Sequence, residues 1–310
     1  MENIRVAIIG YGFLGKWHAE KASNLKNVEL VAIVDSFEQS QIKATKKFPH
    51  VKIASVIKDV INDIDAAIVV TPTSTHFELV KYLLENNKHV FCEKPLTSTL
   101  KDSETIQKLL ENKDIVLQVG HSERFHEVWE NEELYASFLT APCSVKTSRY
   151  APFKGRATDV DVVQDLMIHD LDLIMMLLKE KPTKITSIGF KSLTKNWDHV
   201  ESLLQFHNGN QANIIVGRNS VEEVRVIEIT NNNGTICIDL LNNETSRTIN
   251  EDDKISINTG QYNKRDHLYL EQEEFYNAIK NSTQPRVNCE AGVVAVKLVN
   301  DVLESLETGN

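Results

Sequence analysis

Cysteine is scarce and scattered in this chain of 310 residues: Cys92, Cys143, Cys237 and Cys289 form no CxxC pair. That spacing offers no zinc ligand set and suits a reducing compartment rather than a disulfide framework. No apolar run reaches the length of a membrane span, and no repeat or low-complexity linker breaks the chain. Positive charge is in deficit, with 34 Lys and Arg against 44 Asp and Glu and a formal net charge of -10. A nucleic acid or an anionic membrane would be repelled, so neither is an expected partner, although a local basic pocket for a phosphorylated ligand remains compatible. The first residues enter an apolar segment at once, without a small-residue cleavage site, so a cytoplasmic location is expected. No residue pattern suggests a bound metal.

What is present is the composition of an ordinary globule, 41% hydrophobic and 25% charged, in a length that fits two domains. The first part alternates short apolar runs with polar-rich stretches of helical length. Runs lie at Ile4 to Ile9, Glu29 to Val34, Ala66 to Val70, His89 to Phe91 and Ile115 to Val119. Between them fall Glu38 to Phe48, Thr75 to Asn86 and Leu100 to Asn112. Continuous apolar strands separated by helices predict a parallel sheet covered on both faces, a doubly wound α/β domain over residues 1–121. Residues 122–310 read differently. A strand near Ser144 to Tyr150 precedes one long apolar helix, Val160 to Leu178. Strand-like segments follow, with hairpin cues at Asn208-Gly209 and Asn232-Asn233-Gly234, and helices near His267 to Lys280 and Glu290 to Leu306. This is an α+β domain on a large, mostly antiparallel open sheet, expected to carry both substrate binding and oligomerisation.

Gly10-Tyr11-Gly12-Phe13-Leu14-Gly15 directly follows the first strand and opens a helix. In that context G-x-G-x-x-G is a Rossmann dinucleotide motif, whose glycines let the backbone meet a pyrophosphate at a helix N-terminus. Asp35 closes the next strand at the spacing needed to accept hydrogen bonds from the adenosine ribose. A carboxylate there repels a 2′-phosphate and no arginine follows in Ser36-Phe37-Glu38, so NAD is expected over NADP. The plainer reading of Asp35 is a cap for the following helix.

Three further features point to chemistry. Thr71-Pro72-Thr73, with His76 just beyond, follows the Ala66 to Val70 run, and Glu93-Lys94-Pro95 follows the next. Both sit at carboxyl ends of parallel strands, the edge where open α/β sheets bind ligands, which aims Lys94 at the nicotinamide end of the cofactor. On the long helix, Asp161, Asp165, His169 and Asp172 fall within one stripe about 80° wide at a regular helical period. The rest of that helix is mostly apolar, and buried ionisable groups are costly unless paired or used. Asp165 and His169 are either a satisfied core pair at i, i+4 or a working pair.

These residues together resemble the glucose–fructose oxidoreductase / inositol dehydrogenase / MocA family over essentially the whole chain. The matching pieces are the glycines at 10–15, Asp35, Thr71-Pro72 with His76, Glu93-Lys94-Pro95 and Asp165-x-x-x-His169. The resemblance implies NAD-dependent dehydrogenation of a sugar or cyclitol alcohol, with Lys94, Asp165 and His169 as the catalytic trio. Many members carry glycines just before the helix aspartate, where this chain has Val162-Val163-Gln164. The stretch Gln164 to Asp172, with Gly120-His121-Ser122-Glu123-Arg124-Phe125, is similar to a narrower branch, the UDP-N-acetylglucosamine 3-dehydrogenases.

On that footing His169 is the expected general base, Asp165 its orienting partner and Lys94 the stabiliser of developing alkoxide. His121 and Arg124 are expected substrate-side or nicotinamide-side contacts. Arg149, Lys154 and Arg156 are candidates for a diphosphate, against the alternative of a solvated basic loop. Asp172 and Tyr262 are further candidates for sugar hydroxyls, with packing the alternative for Tyr262. The rival readings are an inositol or free-sugar dehydrogenase and a non-catalytic NAD-binding regulator. An apolar sheet face left open in the second half predicts a homo-oligomer, dimer or tetramer.

Overall fold

The protein is described from a computed structural model covering residues 3–155, 160–251 and 254–308. Contacts divide it into two compact units, Met1–Ser122 with Asp266–Val296, and Glu123–Arg265 with Lys297–Asn310.

The first unit is built on six strands: β1 (Ile4–Ile9), β2 (Val28–Val34), β3 (Lys52–Ala54), β4 (Ala66–Val69), β5 (His89–Glu93) and β6 (Leu117–Gly120). They lie in the order β3-β2-β1-β4-β5-β6, and every pairing is parallel. All four residues of β4 are fully buried, as a strand covered on both faces must be. Crossover helices α1 (Phe13–Asn24), α2 (Glu38–Lys47), α3 (His76–Glu85) and α4 (Leu100–Leu110) supply the cover. Strand β3 escaped the sequence reading because it has three residues, of which only Ala54 is buried. Since β2 and β4 flank β1, the winding reverses there, and a crevice opens beyond the carboxyl ends of the strands.

The chain returns to this unit late. Helix α6 (His267–Asn281) places Phe275, Tyr276 and Ala278 in one core cluster with Ile8, Ala19 and Phe91, and the Phe91 and Phe275 rings meet edge-on at 5.9 Å. Helix α7 (Cys289–Thr308) starts here too, with Gly292 pressed so close to Val119 that a Cβ would sit 2.7 Å from its Cγ2. A single cut after residue 121 does not contain this return.

The second unit carries eight strands: β7 (Ser144–Tyr150), β8 (Lys184–Phe190), β9 (His199–Gln205), β10 (Gln211–Gly217), β11 (Val224–Asn231), β12 (Gly234–Asp239), β13 (Glu244–Glu251) and β14 (Lys254–Gln261). Their order is β14-β13-β12-β11-β7-β10-β9-β8, antiparallel except where β7 meets β10. Both hairpin cues fall where expected, with Gly209 at φ 86° and Gly234 at φ 131°. The long apolar helix is not uniform. Val163–Met167 winds at the wider π-helical pitch, and α5 (Ile168–Leu178) continues at ordinary pitch. That insertion corrects the expectation of one regular stripe, because the residues before it are rotated out of register with those after it. Asp161 is used differently: its carboxylate accepts the Trp197 backbone N–H at 2.6 Å.

Candidate active site

The crevice side of the first unit begins at the glycine loop. Gly10 has φ 96°, and a Cβ there would lie 2.5 Å from the Val70 carbonyl oxygen. At Gly15 a Cβ would come within 2.0 Å of the Gly10 oxygen. Gly12 faces open space, and no side chain caps the N-terminus of α1. Unsatisfied N–H groups at an open helix start are an anion site, so these residues fit a dinucleotide pyrophosphate. Asp35 stands beside the loop, its Oδ2 accepting the Tyr11 N–H at 2.7 Å and its Oδ1 the Phe37 N–H at 2.8 Å. The carboxylate is thereby fixed in place and keeps lone pairs for ribose hydroxyls. Tyr11 offers only its backbone: its ring is buried edge-on to Phe48, and burial pushes its phenol up. Phe13, Leu14 and Phe37 are exposed around the loop. Phe37 was not singled out by the sequence reading; an aromatic two residues past the expected ribose-binding acid was the available signal.

Two expected cofactor contacts turn out to be internal. His76 is 1% exposed, with Nδ1 2.9 Å from the Pro95 oxygen and Nε2 2.9 Å from the Thr71 oxygen. It clamps the turn after β4 to the turn after β5 instead of lining the crevice. The Thr75 hydroxyl closes the same turn on Thr71 Oγ1 at 2.7 Å, leaving Pro72 exposed and Thr73 half-buried. Glu93 points inward, bonded to His18 Nε2 at 2.8 Å. Lys94, half-buried, leaves the end of β5 beside it. His121 is fully buried at the end of β6.

In the second unit, Asp165 lies on the π-helical turn and His169 on the first turn of α5, both half-buried. Helix α5 is anchored by a buried ionic cluster. Arg149 on β7 binds Asp170 through Nε at 2.8 Å and Glu123 through Nη1 at 3.0 Å. Arg225 and His126 also reach Glu123, at 2.9 and 3.0 Å. Burial pushes the Glu123 carboxyl up, but Arg149, His126 and Arg225 together hold it well below the usual carboxylate range. His169 adds to that field, so it lies near the cluster.

The geometry corrects several expected substrate contacts. Arg149 is 4% exposed and committed to two carboxylates, so it is a buried structural cation and not a surface group for a diphosphate. Arg124 and Asp172 bind each other bidentately, at 2.7 and 2.6 Å, with the Asp172 side chain 1% exposed. Each satisfies the other, so they are not two independent sugar contacts. The Tyr262 hydroxyl donates to the Asp239 oxygen at 3.0 Å, and burial raises its phenol well above the usual range, marking a packing role. Lys154 is exposed and paired with Glu223 at 3.0 Å. Arg156 lies outside the described residues.

Comparison with known proteins bears on the pattern directly. Residues 4–121 match the model of an oxidoreductase family with an NAD-binding Rossmann fold, and residues 142–237 match the GFO/IDH/MocA C-terminal domain. The chain belongs to the GFO/IDH/MocA oxidoreductase family. It is an NAD-binding oxidoreductase with the two-part architecture of that family. Among GFO/IDH/MocA relatives, the UDP-N-acetylglucosamine 3-dehydrogenase of Acidithiobacillus ferrooxidans is 30% identical over 288 residues, 90% of each chain. A solved structure of that enzyme aligns with TM-score 0.91 at 28% identity over 99% of both chains. The scyllo-inositol 2-dehydrogenase (NAD(+)) of Bacillus subtilis is 24% identical over 94% of this chain and 93% of its own. A levoglucosan dehydrogenase complexed with NADH shares the fold at TM-score 0.89 and 17% identity, covering 99% of this chain and 98% of its own.

Proposed function

We propose that the protein oxidises a secondary alcohol of a nucleotide sugar with NAD, acting as a UDP-N-acetylglucosamine 3-dehydrogenase. One observation carries the reading: the likeness to the Acidithiobacillus enzyme covers 90% of each chain in sequence and 99% of each in fold. Lys94, Asp165 and His169 are the catalytic residues of this proposal. NAD, when bound, supplies the hydride acceptor at nicotinamide C4. Gly10, Gly12 and Gly15 would hold its pyrophosphate and Asp35 its adenosine ribose. Phe37, 74% exposed beside Asp35, would stack on the adenine.

His169 accepts the proton of the reacting hydroxyl as general base, an effect typically worth about 10²–10⁴-fold in rate. Asp165, four residues earlier, orients the imidazole and stabilises its charged form. Lys94 donates a hydrogen bond to the same oxygen, where negative charge develops as the proton leaves. With Arg149 engaged elsewhere and Lys154 paired with Glu223, Arg156 is the member of the expected set proposed to meet a diphosphate.

Likeness to inositol dehydrogenases, one from Thermotoga maritima covering 98% of this chain at 26% identity, sustains a second reading in which the alcohol belongs to a cyclitol. A panel of UDP-sugars, free sugars and inositols with NAD, followed at the absorbance band of the reduced cofactor, separates the two. Turnover restricted to UDP-N-acetylglucosamine supports the first reading, and turnover restricted to inositols overturns it. The absence of any helix long and apolar enough to cross a membrane, among the described residues, agrees with a proposed cytoplasmic location.

A further inference from the structure

Beneath Lys94 lies a buried acid cluster that the proposed chemistry does not use. His18 on α1, Glu93 on β5 and Glu271 on α6 each bring one nitrogen or carboxylate oxygen within 4.8 Å of the others. The hydrogen bonds fix the state of the histidine. The Gln272 amide donates to His18 Nδ1 at 2.9 Å and to the His18 backbone oxygen at 3.2 Å. With Nδ1 accepting, the ring proton sits on Nε2 and is donated to Glu93 Oε1 at 2.8 Å. That leaves Nε2 with no lone pair for a cation, so the closeness of the three groups reflects proton sharing rather than metal ligation.

Glu93 spends its other oxygen on the backbone that carries Lys94, accepting the Lys94 N–H at 3.3 Å. Its carboxylate lies flat against Gly120, where a Cβ would come within 2.9 Å of Cδ and both oxygens. Glu271 faces this carboxylate with 0% exposure, and neither of its oxygens has a hydrogen-bond partner. A buried carboxylate with no donor, beside a second carboxylate, is too costly to stay ionised, whereas a protonated one becomes a donor to its neighbour.

We infer that Glu271 retains its proton and shares it with Glu93, and that this shared proton seats the Glu93 carboxylate so that it positions Lys94. Glu271 is therefore a positioning residue, and the Lys94 half of the inference rests on the proposed function. Burial is the main reason Glu271 stands well above the usual carboxylate range, and Glu93, Glu274 and Asp266 push in the same direction. Asp266 is itself paired with Lys21 of α1, Glu274 is paired with Arg286, and Gln118 of β6 presents an uncharged amide to the Glu271 backbone oxygen at 2.8 Å.

The test compares wild type with Glu271→Gln and Glu271→Leu. If Glu271 keeps its proton only when folded, unfolding releases it, and above the ordinary carboxylate range the wild-type unfolding constant rises more steeply with pH than that of Glu271→Gln, by up to about tenfold per pH unit. A difference independent of pH overturns the shared proton, whatever the substrate proves to be. For positioning, Glu271→Gln, whose amide still donates to Glu93, keeps kcat within about threefold of wild type, whereas Glu271→Leu lowers kcat about tenfold or more with NADH affinity unchanged. Equal losses in both variants, or no loss in Glu271→Leu, overturn the positioning role. Absence of turnover in wild type itself counts against the proposed function, and the unfolding measurement still decides the proton.

Discussion

At the scale of single residues, the proposed chemistry rests on two side chains with separable duties. Lys94→Ala removes the donor to the developing alkoxide and His169→Ala removes the base. Each is expected to lower kcat by about 10²–10³ on the scale of comparable deletions. The NAD dissociation constant, read by quenching of intrinsic fluorescence, should move less than about threefold, since Gly10 to Gly15 and Asp35 are the residues proposed to hold the other end of the cofactor. The placement of these residues was legible in the sequence, because Gly10, Asp35 and Lys94 occupy fixed offsets from strand ends. Side-chain direction was not. His76 and Glu93 sit beside the cofactor in sequence, yet they turn inward to Thr71, Pro95 and His18. Arg149 looked like a surface cation because its partners Glu123 and Asp170 are 26 and 21 residues away.

At the scale of elements, the Glu123, Arg149, Asp170 and Arg225 cluster ties β7, β11 and α5 together in the second unit. Breaking a buried ionic set by removing one partner is costly, so Arg149→Met is expected to destabilise by about 3–5 kcal/mol in urea unfolding. The pH dependence has a definite sign. Glu123 is held below its ordinary value of 4.5, so its contribution is complete above that pH and is lost as the pH falls below it. The gap between wild type and Arg149→Met should accordingly narrow in acid, and a gap that widens there contradicts the pairing. Helix α5 also shows where periodicity misleads. A regular repeat placed Asp161, Asp165, His169 and Asp172 on one face, but the wide turn at Val163–Met167 breaks that register. Asp161 and Asp172 then find their own partners in Trp197 and Arg124. Nothing in a run as apolar as Val162 to Leu178 announces one extra residue per turn.

At the scale of the whole molecule, both sheets were readable from strand patterning and turn chemistry. The return of α6 to the first unit was not, since an amphipathic helix does not declare which core it will join. The second unit leaves Ile188, Phe190 and Leu203 exposed on neighbouring strands, and Ile255 and Ile257 exposed on the far edge strand. Exposed apolar positions grouped on a sheet are usually covered, and a second copy of the chain is the proposed cover. Light scattering should report a dimer or tetramer, and Ile188→Glu with Phe190→Glu should shift it toward monomer. A wild-type monomer at all concentrations removes this part of the account.

The central proposal is that Lys94 and His169 act on a single hydroxyl. The most direct test is a crystal structure with NADH and the UDP-sugar selected by the substrate panel. Lys94 Nζ and a His169 ring nitrogen are both expected about 3 Å from one sugar oxygen, with that carbon facing nicotinamide C4. A sugar seated with either side chain turned away from the reacting carbon contradicts the mechanism.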